Sequence, residues 1–317
     1  MRILVIGELN PDLILRGYDQ FPALGKEVLV EDLILTLGSA SAICAAGLAR
    51  LGNEVSFLGK VGRDAWGDFC IDALAERGVD TSLIIRDPAL KTGLTASITS
   101  ARDRALVTYL GAISSLRTAD IHLDILTRFQ HLHGSSYYLQ PKLQDGLREL
   151  HAAAHERGLT TSLDPGFDPS ETWGRELIRT LEEVDLFLPN EVELSALTGS
   201  SDPVEALRSV RNGRTLTVLK LGRAGSVALQ GDTPVRVPAI PVQPVDTTGA
   251  GDSFNAGFIH AWKRGAPLRE AMRFGSVCGG FSTLGLGGVA AQPTEAQVMD
   301  YLREHRTGDQ PREEERT

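Results

Sequence analysis

The chain has 317 residues, 42% of them hydrophobic and 23% charged, with a formal net charge of −9. That length and composition allow a sizeable core, either in two average domains or in one large α/β fold. The acidic balance argues against nucleic acid or an anionic membrane as the main partner, and no segment reaches the roughly 18 uninterrupted apolar residues of a membrane helix.

In chain order, Ile3 to Ile6 form a continuous apolar run closed by Gly7, the pattern of a buried parallel strand and too short for a signal peptide. "SAICAAGLARLG" reads as a small-residue helix stopped by Gly52. "EVSFLG", "HLHGSS", "TTSLDP", "DLFLPN" and "LTVLKLG" read as further short strands, with helical patterns near 65–77, 142–157, 170–182 and 191–198. This alternation predicts a parallel sheet with helices on both faces.

Two stretches break that rhythm. Residues 26–38 and 93–111 alternate with period two and have no helix between strands, and the second reads as a hairpin turning near 101–104. They form either a small sheet projecting from the core or an antiparallel edge extension, and periodicity leaves both open. Beyond residue 250 the pattern is helical, over roughly 250–263, 267–283 and 294–304. The charged tail 306–317 is expected to be disordered. Cys44, Cys70 and Cys278 stand far apart and read as buried small hydrophobes in a reducing compartment, so the expected location is the cytoplasm.

"VDTTGAGDSFNAGF" (245–258) sets Asp246 and Asp252 around Gly249-Ala250-Gly251, just ahead of an amphipathic run. Without large side chains, backbone N–H groups can approach a ligand closely. A helix beginning here presents unpaired donors and the positive end of its dipole, which attract phosphate. The bland alternative is a loop that needed small residues, with Asp252 complementing the dipole. Asn190 and Glu193 share a helix face and fit an N-cap with its capping-box partner. His151 and His155 lie four apart with no third ligand nearby, and read as solvated residues of a surface helix. Residues 102–104 read as a charged turn.

The 246–252 string closely resembles the carboxy-terminal signature of the ribokinase-like (PfkB-type) carbohydrate kinases, Asp-Thr-x-Gly-Ala-Gly-Asp, and meets every fixed position. Five further segments fall in the family's order: "GELNPD" (7–12), "LGSASAICAAGLARLG" (37–52), "GKVGRDAWG" (59–67), "PNEVELSALTG" (189–199) and "LKLGRAG" (219–225). The resemblance implies a ribokinase-like three-layer α/β/α domain over 1–305, with a mostly parallel central sheet. Its small projecting β-lid would be drawn from about 10–17, 26–37 and 91–111.

It also implies an ATP-dependent kinase that phosphorylates a hydroxymethyl group of a sugar or sugar-like alcohol. Asp252 takes the place of the general base, and the N–H groups of Gly249, Ala250 and Gly251 that of an anion hole. Asn10, Asp12, Gly38 and Ser39 fall on the sugar side. Asn190, Glu193, Lys220, Gly222, Gly225 and Ser276 fall on the nucleotide side, with Glu193 near Mg2+ through water. Asp246, Thr248 and Gly287 match a monovalent-cation (K+) site. The chain has no G-x-x-x-x-G-K-[ST] and so is not a P-loop kinase.

Three positions depart from the family: Ser39 replaces a second glycine, Ile43 a substrate-contacting asparagine, and Lys220 a frequent Thr or Ser. An aliphatic wall at Ile43 would favour a deoxy, keto or otherwise less polar substrate. A nucleoside kinase of the same fold is the alternative enzyme, and a silent sugar-binding protein the alternative class. The alternating lid strands need a covering surface, so a homodimer is expected, with neither nucleic acid nor membrane as partner.

Overall fold

A computed structural model describes residues 1–17, 20–99 and 104–305. The turn at 101–103 and the tail 306–317 lie outside the described residues. The amino-terminal run becomes β1 (Arg2–Ile6), with Ile3 to Ile6 fully buried because the strand is covered on both faces. There follow β2 (Pro11–Arg16), β3 (Asp32–Leu37), α1 (Ala40–Arg50), β4 (Glu54–Leu58), β5 (Lys60–Gly62), α2 (Ala65–Ala75), β6 (Val79–Asp80) and β7 (Ile85–Asp87). Next come β8 (Leu94–Thr99), β9 (Arg104–Tyr109), β10 (His131–Gly134), α3 (Pro141–Gln144), α4 (Leu147–Glu156), β11 (Thr160–Leu163), α5 (Glu176–Thr180) and β12 (Leu186–Phe187). The chain continues through α6 (Glu191–Thr198), α7 (Pro203–Ser209), β13 (Leu216–Lys220), β14 (Ser226–Gln230), β15 (Thr233–Val237), α8 (Ala250–Lys263), α9 (Leu268–Ser282) and α10 (Glu295–Glu304).

The central sheet runs β15-β14-β13-β12-β11-β10-β1-β4-β6. Pairs from β13 to β6 are parallel, and the β13-β14-β15 end is antiparallel. Successive strand residues point to opposite faces. Ile3 and Val5 therefore join a core with α1, α8 and α9, while Leu4 and Ile6 join one with α4, α6 and α7. Three layers result. All three cysteines are free and buried.

The period-two stretches form a separate sheet, β3-β2-β8-β9, in which β2 and β8 run parallel. A small sheet of its own, and not an extension of the central sheet's edge, is thus the correct alternative. Its strand from the 26–37 stretch is shorter than expected: pairing starts at Asp32 opposite Arg16, where β2 ends.

Other expectations are corrected. The helix expected over 170–182 shrinks to α5, because the Asp168 carboxylate accepts from the N–H groups of Ser170, Thr172 and Trp173 and winds that stretch into a turn. The pattern at 142–157 breaks at Asp145-Gly146 into α3 and α4. The β14–β15 hairpin and α7 were not anticipated. The solvated reading of the histidine pair fails. His151 shares the inner face of α4 with Leu147, Leu150 and Ala154 and is fully buried. His155 sits at the rim, its Nε2 3.0 Å from Asp185 and its Nδ1 3.0 Å from Arg214.

Candidate active site

Gly249, in the left-handed region at φ 71°, is the residue from which α8 departs, and as a glycine it brings no side-chain cap to that end. The first turn therefore keeps backbone donors free of intrahelical partners. Ala250 N–H reaches back to Thr247 O at 3.3 Å. Glycine is required at 249, since a Cβ would come within 2.7 Å of Gly288 Cα. Asp252 stands half-buried in this first turn.

The helix start opens on a cavity of about 730 Å³ lined by Ala250, Gly251, Lys220, Gly222, Gly225 and Ser276, with Ile240, Val242 and Phe254 as apolar walls. Lys220, Gly222, Gly225 and Ser276, the residues expected on the nucleotide side, thus share one chamber with the first turn of α8. Gly225, at φ 92°, immediately precedes β14 and lies against the end of β15, where a Cβ would meet Val237 O at 2.0 Å.

Asn190 and Glu193 form the capping box of α6. Asn190 Oδ1 accepts from Glu193 N at 3.0 Å, and Glu193 accepts from Asn190 N at 2.8 Å. Asn190 also bridges to Lys220 as a neighbouring strand residue, which brings this box beside the cavity. Burial, with the Asp164 charge adding to it, pushes the Glu193 carboxyl up to about 8.

Lys220 Nζ donates to Asp164 Oδ2 at 2.7 Å and to Asn255 Oδ1 at 3.2 Å, and Asn255 Nδ2 donates to the same Asp164 oxygen at 2.5 Å. Burial alone would discharge both ions. The attraction of each for the other reverses this, holding Asp164 below and Lys220 above its ordinary range. Sequence reasoning missed Asp164 and Asn255. A lone Asp closing "TTSLD" was the available signal, but it names no partner.

Among the residues expected on the sugar side, Asn10 Nδ2 donates to Asp12 Oδ1 and to Thr95 Oγ1, each at 3.3 Å, so Asn10 orients the half-buried Asp12. Gly38 lies against that carboxylate. Ser39 caps α1 by accepting from Ala42 N at 3.2 Å, although φ is 72°, where its family counterpart is glycine. Its hydroxyl donates to Glu8 O, which holds that conformation. Glu8, also missed, is buried and accepts from Ser41 at 2.5 Å and Ser136 at 2.7 Å, tying α1 to the end of β10.

Ile43 does not line a substrate wall as expected. It is 3% exposed, and its methyls fill the space that Cβ atoms on Gly249 and Gly288 would need. It props the loop that starts α8, and the preference for a less polar substrate loses its basis. Asp246 gathers Thr248 and Gly287 as expected: Oδ1 accepts from Thr248 N at 2.9 Å and Oδ2 from Gly287 N at 2.9 Å. Thr36, opposite Asp12 in the lid, packs on Gly287. The Asp12 end of the lid is thereby joined to the loop that starts α8.

Among the described residues, no helix is long and apolar enough to cross a membrane. The chain is 29% identical to the ribokinase of Bacillus subtilis over 95% of its own length and 99% of that protein. It is 30% identical to the 2-dehydro-3-deoxygluconokinase of the same organism, over 86% and 88%. The structure of Arabidopsis thaliana ribokinase complexed with ribose and ATP superposes with a TM-score of 0.82 at 25% identity, covering 95% of this chain and 98% of that one. The family described as pfkB family carbohydrate kinase matches residues 1–295. The chain belongs to that family and is an ATP-dependent sugar kinase with a ribokinase-type fold.

Proposed function

We propose that the enzyme transfers the γ-phosphoryl group of ATP to a hydroxymethyl group of a sugar or sugar-like substrate, with Asp252 as general base. The observation that carries this is the uncapped start of α8, with Asp252 in its first turn, opening on a cavity of nucleotide size. Asp12, steadied by Asn10 and backed by Gly38 and Ser39, accepts hydrogen bonds from substrate hydroxyls. The substrate oxygen attacks phosphorus and its proton passes to Asp252. The bond to the bridging oxygen breaks with its electron pair going to ADP. The N–H groups of Gly249, Ala250 and Gly251 face the charge on the transferred group. Lid closure excludes water that would hydrolyse ATP.

The oxygens of Asn190 and Glu193 suit Mg2+ held through water. Bound there, Mg2+ would neutralise phosphate charge. Asp246, with the backbone at Thr248 and Gly287, would hold K+, testable by titrating activity with KCl against NaCl.

The outer lid face supports a homodimer. Leu13, Leu15, Leu33, Leu35, Val107 and Tyr109 all lie on the side away from Asp12, and Leu33, Val107 and Tyr109 are more than half exposed.

The test is Asp252→Asn, assayed by ADP release with ribose, fructose, 2-dehydro-3-deoxygluconate and adenosine. Turnover should fall by ~10²–10⁴ while sugar-induced thermal stabilisation persists. An unaffected variant overturns the assignment, and adenosine as the only acceptor moves it to nucleosides.

A further inference from the structure

We propose that Lys220 is a catalytic residue whose ammonium contacts the phosphoryl group in transit, held at that station by Asp164 and Asn255. This rests on the phosphotransferase reading above and assigns one more participant to it.

Three observations converge. Lys220 ends β13 with its side chain 12% exposed, and it lines the cavity into which the amides of α8 open. Its Nζ lies 3.5 Å from where a Cβ on Gly251 would be, so the charge sits against the backbone of the first helical turn. An ammonium has three donors, and Asp164 and Asn255 take two of them.

Charge balance gives this position its meaning. The lining residues include two cations, Lys220 and the exposed Arg223. Against them stand the carboxylates of Asp164 and Asp252, both close enough to influence Lys220. A triphosphate entering such a chamber needs fixed positive charge at the reacting end. A lysine already ordered by two partners supplies it with little reorganisation. During transfer Lys220 keeps its protons: the new P–O bond forms to the substrate, the old one breaks toward ADP, and the hydroxyl proton goes to Asp252.

A purely structural ion pair makes a different prediction. Removing one partner of a buried pair leaves an orphaned charge, whereas removing both is often neutral. The experiment therefore compares the intact enzyme, Lys220→Ala, and the double variant Lys220→Met with Asp164→Asn. ADP affinity is measured by calorimetry and turnover with the best sugar of the panel. Catalytic contact predicts that Lys220→Ala binds ADP as tightly as the wild type, yet turns over ~10²–10³-fold more slowly. The double variant should melt like the wild type and be equally slow. If Lys220→Ala keeps its turnover, or the double variant regains it, or ADP affinity falls in step with turnover, the assignment is overturned. A wild-type enzyme that releases no ADP with any substrate of the panel would instead sink the phosphotransferase reading.

Discussion

Asp12 occupies the space in front of Gly38 so fully that a Cβ on Gly38 would lie 2.0 Å from Asp12 Oδ1. The glycine is there for the carboxylate. With Asp12 in the proposed sugar-binding role, Gly38→Ala should turn its carboxylate aside and raise the sugar KM by about 5- to 150-fold, the equivalent of losing about 1–3 kcal/mol of hydrogen bonding. ADP binding should not change. Initial-rate kinetics with parallel ADP calorimetry measure both, and an unchanged sugar KM would remove Asp12 from the binding role.

His151 presents the opposite situation, a polar group with nothing to do. Both ring nitrogens are buried without hydrogen-bond partners among the described residues, and burial holds the imidazole neutral, its pKa down to about 3. His151→Leu should stabilise the fold by about 1–3 kcal/mol, because the desolvation cost disappears while the volume stays filled. Thermal and urea unfolding should both move upward, with turnover intact.

Acid should unfold the enzyme early, for a related reason. His133 is held down to about 4 and His151 to about 3, each chiefly by burial. Between about pH 6.5 and those values the unfolded imidazoles bind protons and the folded ones do not. Their contribution to stability is therefore complete above about pH 6.5 and is lost as pH falls through 6 and 5, at up to about 1.4 kcal/mol per pH unit for each group. Urea titrations at pH 7, 6 and 5 should show this slope, and His151→Leu should be shallower by one group's share.

The lid face offers a test of assembly. Val107, 61% exposed, and Leu33, 55% exposed, belong to one apolar sheet surface. Sedimentation at micromolar concentration should find a dimer for the wild type and a monomer for the double variant Leu33→Asp, Val107→Asp. A wild-type monomer would show that this surface does not serve self-association.

Much of the site could be read locally. Gly249-Ala250-Gly251-Asp252 announces a helix start built from bare amides, Asn190 and Glu193 announce a capping box, and alternation in 93–111 announces the lid hairpin. Each rests on rules that act over a few residues: periodicity, cap spacing, and the freedom of glycine at positive φ. The sequence alone therefore determined the helix-covered parallel sheet, the alternating strands and the glycine-rich start of α8, and left open where those alternating strands would pack.

Tertiary structure decided what local rules do not reach. Asp164 meets Lys220 across 56 residues and Asn255 across 91, because β11, β13 and α8 converge only once the sheet order is set. Ile43 stands at the position of a substrate-contacting residue yet packs behind Gly249 and Gly288, and His151 looks solvated until α4 turns that face inward. Burial and charge pairing depend on which elements pack together. That information lies in the whole arrangement of strands and helices and in no single segment.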